Sequence, residues 1–499
     1  MGLDPWQVLC LALYGASVAV LSLYGFHRYH LMRLFLRHGM ASPPAAARFA
    51  ELPGVTVQLP LYNEYHVVER LLEAVSRLDY PRHRLQVQVL DDSTDETASR
   101  ARDAVARLAR EGFDIQYLHR DHRTGYKAGA LAAGLERARH QFLFLLDADF
   151  VPPPHVLRQA IHHFTDPGIG LVQLRWGHLN RGFSLLTRLQ SIFLDGHLVI
   201  EHTARNRSGC FFNFNGTAGV WRRRAIEEAG GWQHDTLTED LDLSFRAQLA
   251  GWRFLYLPEL EVPAELPVEI SAFMTQQRRW TKGSVQTARK ILPRLWRSDI
   301  PLRVKVEATV HLTANGGYLL MLLMALLMLP VMSIRGQLTW QQRLFIVDLP
   351  LFSMATMAIS GFYAVSQRAL YPDWKRQLKY LPALMAFGLS LCVNNARAAV
   401  EGLLGHQSGF ERTPKYGVTA APGATPGRKY AGGRTTTAGG GELAMAAYFV
   451  WVVVQAWRLD LYFGIPFLLL FLAGFLYTGV LSGLQPWLRR WHQGLRPAV

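Results

Sequence analysis

Cysteine is scarce: three residues in 499, Cys10, Cys210 and Cys392. Their wide separation excludes a disulfide framework and the paired spacing of a zinc site. Two of them sit in apolar stretches and read as packing residues. Charge is thin as well. Asp, Glu, Lys and Arg make up 18% of the chain, against the usual ~25%. With 50% hydrophobic residues, that excludes a disordered chain. The charge that is present leans one way, 53 Lys and Arg against 38 Asp and Glu, for a net +15. No DNA- or RNA-binding motif accompanies it. The excess base is therefore assigned to a membrane face and an anionic small molecule, and nucleic acid is not expected as a partner. Neither GxGxxG after the first strand nor GxxxxGK[ST] occurs, which excludes a dinucleotide site and a P-loop.

What the chain does have is long apolar runs. A bilayer crossing needs ~20 mostly apolar residues. Pro5 to Phe26 carries no Asp, Glu, Lys or Arg and is followed by Arg28, Arg33 and Arg37. Without a basic stretch before it or a cleavage site after it, it reads as an anchor. Ala308 to Ile334, Leu344 to Gln367, Leu443 to Trp457 and Leu461 to Trp487 read as four more crossings. Tyr380 to Val393 is only ~14 residues long before Asn394, Asn395 and Arg397, which suits an interfacial or re-entrant helix. A basic Gly/Pro/Thr-rich loop follows and reads as mobile.

Between these runs, residues ~40 to ~265 have the composition of a globular domain. VTVQLP (Val55 to Pro60), VQVL (Val87 to Leu90), IQYL (Ile115 to Leu118) and FLFLL (Phe142 to Leu146) read as strands. Helices separate them: one through Leu71 and Leu78, one capped by Ser93 or Thr94, and one from about Gly125 to Arg139. Alternation of this kind predicts a largely parallel α/β sheet, which binds ligands beyond the carboxyl ends of its strands. Asn63-Glu64, Asp91-Asp92 and Asp147-Ala148-Asp149 all fall at those ends. An edge so rich in carboxylates suits a hard divalent cation and a phosphate substrate.

Each cluster has its own chemistry. Alternate carboxylates in Asp147-Ala148-Asp149 can reach a metal held on a diphosphate. Asp91-Asp92 can accept hydrogen bonds from a nucleobase or ribose, or can complement a helix dipole. Lys127, in GYKAGAL, can neutralise a phosphate near a helix start. LTEDLDL offers Glu239, Asp240 and Asp242, one of which can act as general base on an acceptor hydroxyl. In QQRRW, Arg278 and Arg279 can hold diphosphate oxygens and Trp280 can stack on a sugar ring. The competing reading of that motif is an interfacial Trp/Arg belt.

In this order YNE, LDDSTD, GYKAGAL, DADF, VQLRW, FNGT, LTEDLDL, QQRRW and a late FERTPK resemble the membrane-integrated family 2 glycosyltransferases, the cellulose, hyaluronan and mannan synthases. The wording is closest to the plant cellulose-synthase-like A and C proteins, which make β-mannan and xyloglucan backbones. The resemblance implies a GT-A fold, inversion at the sugar carbon, a nucleotide-sugar donor (GDP-mannose or UDP-glucose) and Mg2+ or Mn2+. By motif it implies donor contacts from Asn63, Glu64, Asp91, Asp92, Lys127, Asp147, Gln276 and Arg279, and metal contacts from Asp147 and Asp149. It implies acceptor contacts from Asn215, Gly216, Thr217 and Trp280, and catalysis by Asp240 with Glu239 as the next candidate. Phe410, Thr413 and Lys415 match the gating-loop pattern FxVTxK, with Arg412 in place of Val and Pro414 before the Lys.

The expected architecture is an α/β GT-A domain with a mostly parallel sheet, fused to an α-helical transmembrane domain. Residues 1–37 would be the anchor and 38–265 the cytoplasmic catalytic domain. Interface helices with QQRRW would fill 266–304, crossings two and three 305–370, and an interfacial or re-entrant helix 371–404. The gating loop would fill 405–441, and the last two crossings with a basic tail 442–499. Parity and the positive-inside rule predict five crossings, N-terminus out and C-terminus in. Arg368, Lys375, Arg376 and Lys379 after the third crossing agree, as do Arg412, Arg428, Lys429 and Arg434 in the loop. The reaction expected is processive β-linked hexose polymerisation onto a growing polysaccharide, with transport through a bilayer such as a bacterial inner membrane. The rivals are single transfer to a lipid, as in ceramide glucosyltransferases, and a transporter with a nucleotide-sensing domain.

Overall fold

The computed structural model describes residues 3–337, 345–419 and 439–494. Thr435 and the loop cations Arg428, Lys429 and Arg434 lie outside the described residues, as do Leu344 and Arg496.

A seven-stranded sheet forms the centre of the first half. Its strands are β1 (Val55–Leu61), β2 (Leu85–Asp91), β3 (Asp114–His119), β4 (Phe142–Leu145), β5 (Ile169–His178), β6 (Gly219–Arg222) and β7 (Arg253–Ala264). Their order is β3-β2-β1-β4-β6-β5-β7, and only β6 runs against its neighbours. The first four strands are those read from the apolar runs, β1 to β3 longer by one to three residues and β4 shorter by one. Alternation divides β1 cleanly. Val55, Val57 and Leu59 enter one core, while Thr56 and Gln58 face the other way and bond Gln86 and Gln88 of β2 at 2.8 and 3.0 Å. A second core on that other face gathers Leu143, Leu145, Trp221 and Tyr256.

Two local expectations fail. The helix after β2 is Thr97–Arg110, capped at Glu96 rather than at Ser93 or Thr94. Both hydroxyl residues are engaged elsewhere: Ser93 Oγ accepts the Asn63 N–H at 2.8 Å, and the Thr94 N–H donates to Asn63 Oδ1 at 2.9 Å. The Val68–Ser76 helix stops short of Leu78.

Helix Ile270–Arg297 carries QQRRW and joins the sheet domain to the remaining helices. Among the described residues four helices are long and apolar enough to cross a membrane: Pro5–His38, Leu302–Gly336, Gly440–Arg458 and Tyr462–Gln485. Helix Phe345–Leu370 adds 26 residues. The segment expected to be interfacial or re-entrant is a bent pair, Trp374–Ser390 and Cys392–Leu403, turned by 40°. Apolar helices in this number make the chain a membrane protein.

Candidate active site

Asp242 and Arg278 aside, the site residues expected from the sequence line one cleft at the carboxyl edge of the sheet, except Asn63, Asp91 and Thr217. Those three are buried or turned into the scaffold. Asp91 is fully buried and spends its carboxylate on the Ser93 N–H at 3.0 Å and the Tyr117 hydroxyl at 2.6 Å. Thr217 Oγ1 accepts the Asp147 N–H at 2.8 Å and so fixes where β4 ends. Asp92 does reach the cleft, with Arg120 forked across its two oxygens at 2.7 and 2.5 Å.

The centre is a set of opposed charges. Lys127, in the first turn of helix Tyr126–Arg137, meets Asp147 Oδ1 at 2.5 Å and the Gly216 carbonyl at 2.9 Å. Burial lowers its pKa, but the charges of Asp147, Glu239 and Asp240 outweigh that and hold the ammonium above its ordinary value. Lys415 meets Asp149 Oδ2 at 2.9 Å, where the Glu265 N–H also donates at 3.2 Å. Asp149 Oδ1 is buried and has no hydrogen-bond partner. A hard cation fits that bare oxygen. Among the described residues no three His, Cys, Asp or Glu side chains converge on a metal, so the donor's phosphates would supply further ligands.

Asp240 lies in the first turn of helix Glu239–Leu249, and its Oδ1 accepts the Leu241 N–H at 2.8 Å. Burial, reinforced by the Glu239 charge, pushes its pKa up to about 7 against the pull of Lys127. A carboxylate with that value is poised to take a proton near neutrality. Below about pH 7 it is protonated and cannot act as base. Turnover is therefore expected to climb about tenfold per pH unit up to pH 7 and then level. Burial also pushes Glu64 to about 7, so Glu64→Gln is the control. The acid limb of kcat/KM should persist in that variant. A flat profile from pH ~5.5 to ~8 would remove Asp240 from the role.

Asp242, two residues on, serves the scaffold: it pairs with Arg246 at 2.8 Å and Lys290 at 3.0 Å. Gly216 is held at φ +80, and a Cβ there would stand 2.9 Å from Asp240 Oδ2. Gly216→Ala should therefore displace the carboxylate and cut turnover by about a hundredfold, with donor affinity little changed. A near-native Tm would separate this from unfolding. Wild-type turnover in Gly216→Ala would show that Asp240 tolerates the displacement.

On the QQRRW helix, Gln276, Arg279 and Trp280 face the cleft, whereas Arg278 turns away and pairs with Glu401 at 2.6 Å. The sequence reading placed Arg278 on the diphosphate, but on a helix positions i, i+3 and i+4 (276, 279 and 280) share a face and i+2 does not. It also gave no role to Arg123, Trp176 or His178, all of which line the cleft. Arg123 stacks 3.5 Å above the Tyr62 ring. Trp176 lies within the VQLRW motif, which marked the position without its use.

A larger cavity of about 610 Å3 continues from this cleft into the helices. Trp176, Leu194, Asn215, Thr238, Asp240 and Trp280 line both spaces. Farther in, the walls come from Tyr14 and Val18 of the first helix, Met324 and Met328 of the Gly317–Gly336 helix, and Phe471. Asn215 Oδ1 is held by Asn213 Nδ2 at 2.8 Å and His202 Nε2 at 2.9 Å, and its own Nδ2 has no partner.

Known proteins resemble this chain in sequence and fold. The model of the family described as glycosyltransferase-like family 2 matches residues 53–283. Glucomannan 4-beta-mannosyltransferase 2 of Arabidopsis thaliana is 44% identical over 254 residues, covering 50% of this chain and 48% of that protein. Glucomannan 4-beta-mannosyltransferase 1 of Oryza sativa subsp. japonica is 41% identical over 268 residues, covering 53% and 51%. The chain thus spans about half the length of the curated relatives it matches. Among solved structures, mannosyltransferase PcManGT from Pyrobaculum calidifontis in complex with GDP-Man and Mn2+ aligns with a TM-score of 0.54 at 20% identity, over 80% of this chain and 99% of that one. The fold is the shared GT-A fold, and residues 53–283 are similar to the glycosyltransferase-like family 2.

Proposed function

We propose that this chain is a processive, inverting β-glycosyltransferase that takes mannose from GDP-mannose and builds a β-1,4-linked polymer. The observation that carries this reading is the position of Asp240, on the wall shared by the donor cleft and the membrane cavity. A hydroxyl activated there belongs to a chain whose older residues have one enclosed direction to follow, into the helices. Asp240 takes the proton as the hydroxyl attacks the anomeric carbon, and Lys127 and Arg279 remain charged beside the departing diphosphate. Trp280 offers the acceptor sugar an aromatic face. A divalent cation, Mg2+ or Mn2+ held by Asp147 and Asp149, neutralises that diphosphate when bound. The glucomannan mannosyltransferase relatives favour mannose over glucose as the sugar.

The same reading places the catalytic domain in the cytoplasm with five crossings, N-terminus out and C-terminus in. The bent pair Trp374–Ser390 and Cys392–Leu403 then enters and leaves on one face.

Purified protein incubated separately with radiolabelled GDP-mannose and UDP-glucose tests the proposal. Polymer from GDP-mannose, degraded by a β-1,4-mannanase, is the expected product. A single labelled sugar recovered only in the organic-solvent phase would replace polymerisation by transfer to a lipid. The methionine-lined depth of the cavity gives that second reading its support.

A further inference from the structure

Residues 410–418 lie over the donor cleft and are held there by contacts of two kinds. Some use groups that a donor needs. The Phe410 ring lies 4.3 Å from the Arg279 guanidinium, and Lys415 is on Asp149. These contacts have to change when a diphosphate and its cation arrive. Others use scaffold groups. The N–H groups of Tyr416 and Val418 donate to Glu265 at 2.7 and 3.2 Å, and the Tyr416 hydroxyl donates to Glu269 at 2.6 Å.

Arg412 also holds the scaffold, although one of its two partners, Glu64, lines the cleft. Its Nη1 is 2.9 Å from Glu64 Oε2 and also donates to the Asn63 carbonyl. Both partners lie in the turn after β1. Asn63 there has φ +55, a left-handed conformation that asparagine adopts more readily than most residues. Its N–H on Ser93 and its Oδ1 accepting from Thr94 pin that turn to the end of β2, which fixes the carbonyl that Arg412 meets. Gly417 passes the same turn at φ +71, where a Cβ would stand 3.1 Å from the His66 carbonyl. The segment is thus fitted to this turn at two points. A valine at position 412 has neither the charge nor the donors to make the first.

We propose that Arg412 is a positioning residue, whose pair with Glu64 and the Asn63 carbonyl keeps residues 410–418 seated over the cleft while Phe410 and Lys415 exchange partners with the donor. The seat keeps water from the anomeric carbon; this part rests on the transferase reading of the same cleft. Without the seat, water takes the place of the acceptor hydroxyl. Its oxygen bonds to the anomeric carbon, the bond from that carbon to the diphosphate breaks, and Asp240 takes the proton.

Hydrogen exchange and product partition in the full-length protein test this together. Without donor, the Tyr416 and Val418 amides should exchange about tenfold faster in Arg412→Val than in wild type, while β1 amides stay slow. With GDP-mannose and Mn2+, the share of donor lost as free mannose should rise about fivefold. Arg412→Lys should recover part of both effects. Glu64→Gln should speed the same amides, and combining it with Arg412→Val should add little, because the two act as one pair. Exchange within about twofold of wild type in Arg412→Val, or full additivity in the double variant, would overturn the seat. If exchange rises and GDP-mannose yields neither polymer nor free mannose, the seat stands, and the donor reading falls with its water-excluding role.

Discussion

Asp240→Asn should bind donor as wild type does and lose transfer by two to four orders of magnitude, the usual range for a missing general base. The substitution is nearly isosteric. An asparagine Oδ1 still accepts the Leu241 N–H that Asp240 Oδ1 accepts at 2.8 Å, so the first turn of the helix keeps its bond. The donor side of the cleft, with Lys127 on Asp147 at 2.5 Å, is not altered. What disappears is, among the described residues, the one carboxylate that meets both the cleft and the cavity between the helices. Donor titration by calorimetry and product formation by radiolabel give the two readouts. If Asp240→Asn polymerises at near wild-type rate, the base is elsewhere, and Glu239 in the same turn is next to be tested.

The sheet and the cleft were legible in the sequence to different depths. Strands β1 to β4 announce themselves because each is a short segment rich in Val, Leu, Ile or Phe bounded by polar turns, although β3 is only half-buried. Strand β7 does not. Pro258 and Pro263 interrupt Arg253–Ala264, and a proline-bearing strand is tolerated here because β7 is at the edge of the sheet. Strand β6 is four residues long and runs antiparallel, too short for its period to show. Within the cleft, residue type was read more easily than direction. Asp91 and Asp92 look equivalent on paper, but successive residues at a strand end face opposite ways, and only Asp92 reaches the ligand edge. Arg278 and Arg279 differ for the helical version of the same reason. Arg412 stood out only as a departure from FxVTxK. Its partner Glu64 is distant in sequence, and no local pattern links the two.

Removing Asp149 should have an effect as large as removing the base, by a different route. In the structure each of the two carboxylates after β4 holds a lysine: Asp147 has Lys127 and Asp149 has Lys415. These two carboxylates are thus each paired before a donor enters. A nucleoside diphosphate brings negative charge and its cation brings positive charge, so the lysines can pass to phosphate oxygens as the carboxylates pass to the cation. Of these two carboxylates, Asp149 is the one with a buried oxygen, Oδ1, without a hydrogen-bond partner, which gives it spare capacity for that exchange. Asp149→Asn is the sharper variant than Asp149→Ala, because an amide oxygen can still accept the Glu265 N–H. Its expected effect is loss of metal-dependent GDP-mannose binding by about a hundredfold, equivalent to ~2.7 kcal/mol, with residual binding insensitive to Mn2+. EDTA should silence the wild type and added Mn2+ or Mg2+ should restore it. Full turnover in EDTA would contradict a divalent-cation mechanism. Metal-dependent affinity kept intact in Asp149→Asn would instead move the cation to Asp147 alone, with Lys127 rather than Lys415 as the ammonium it displaces.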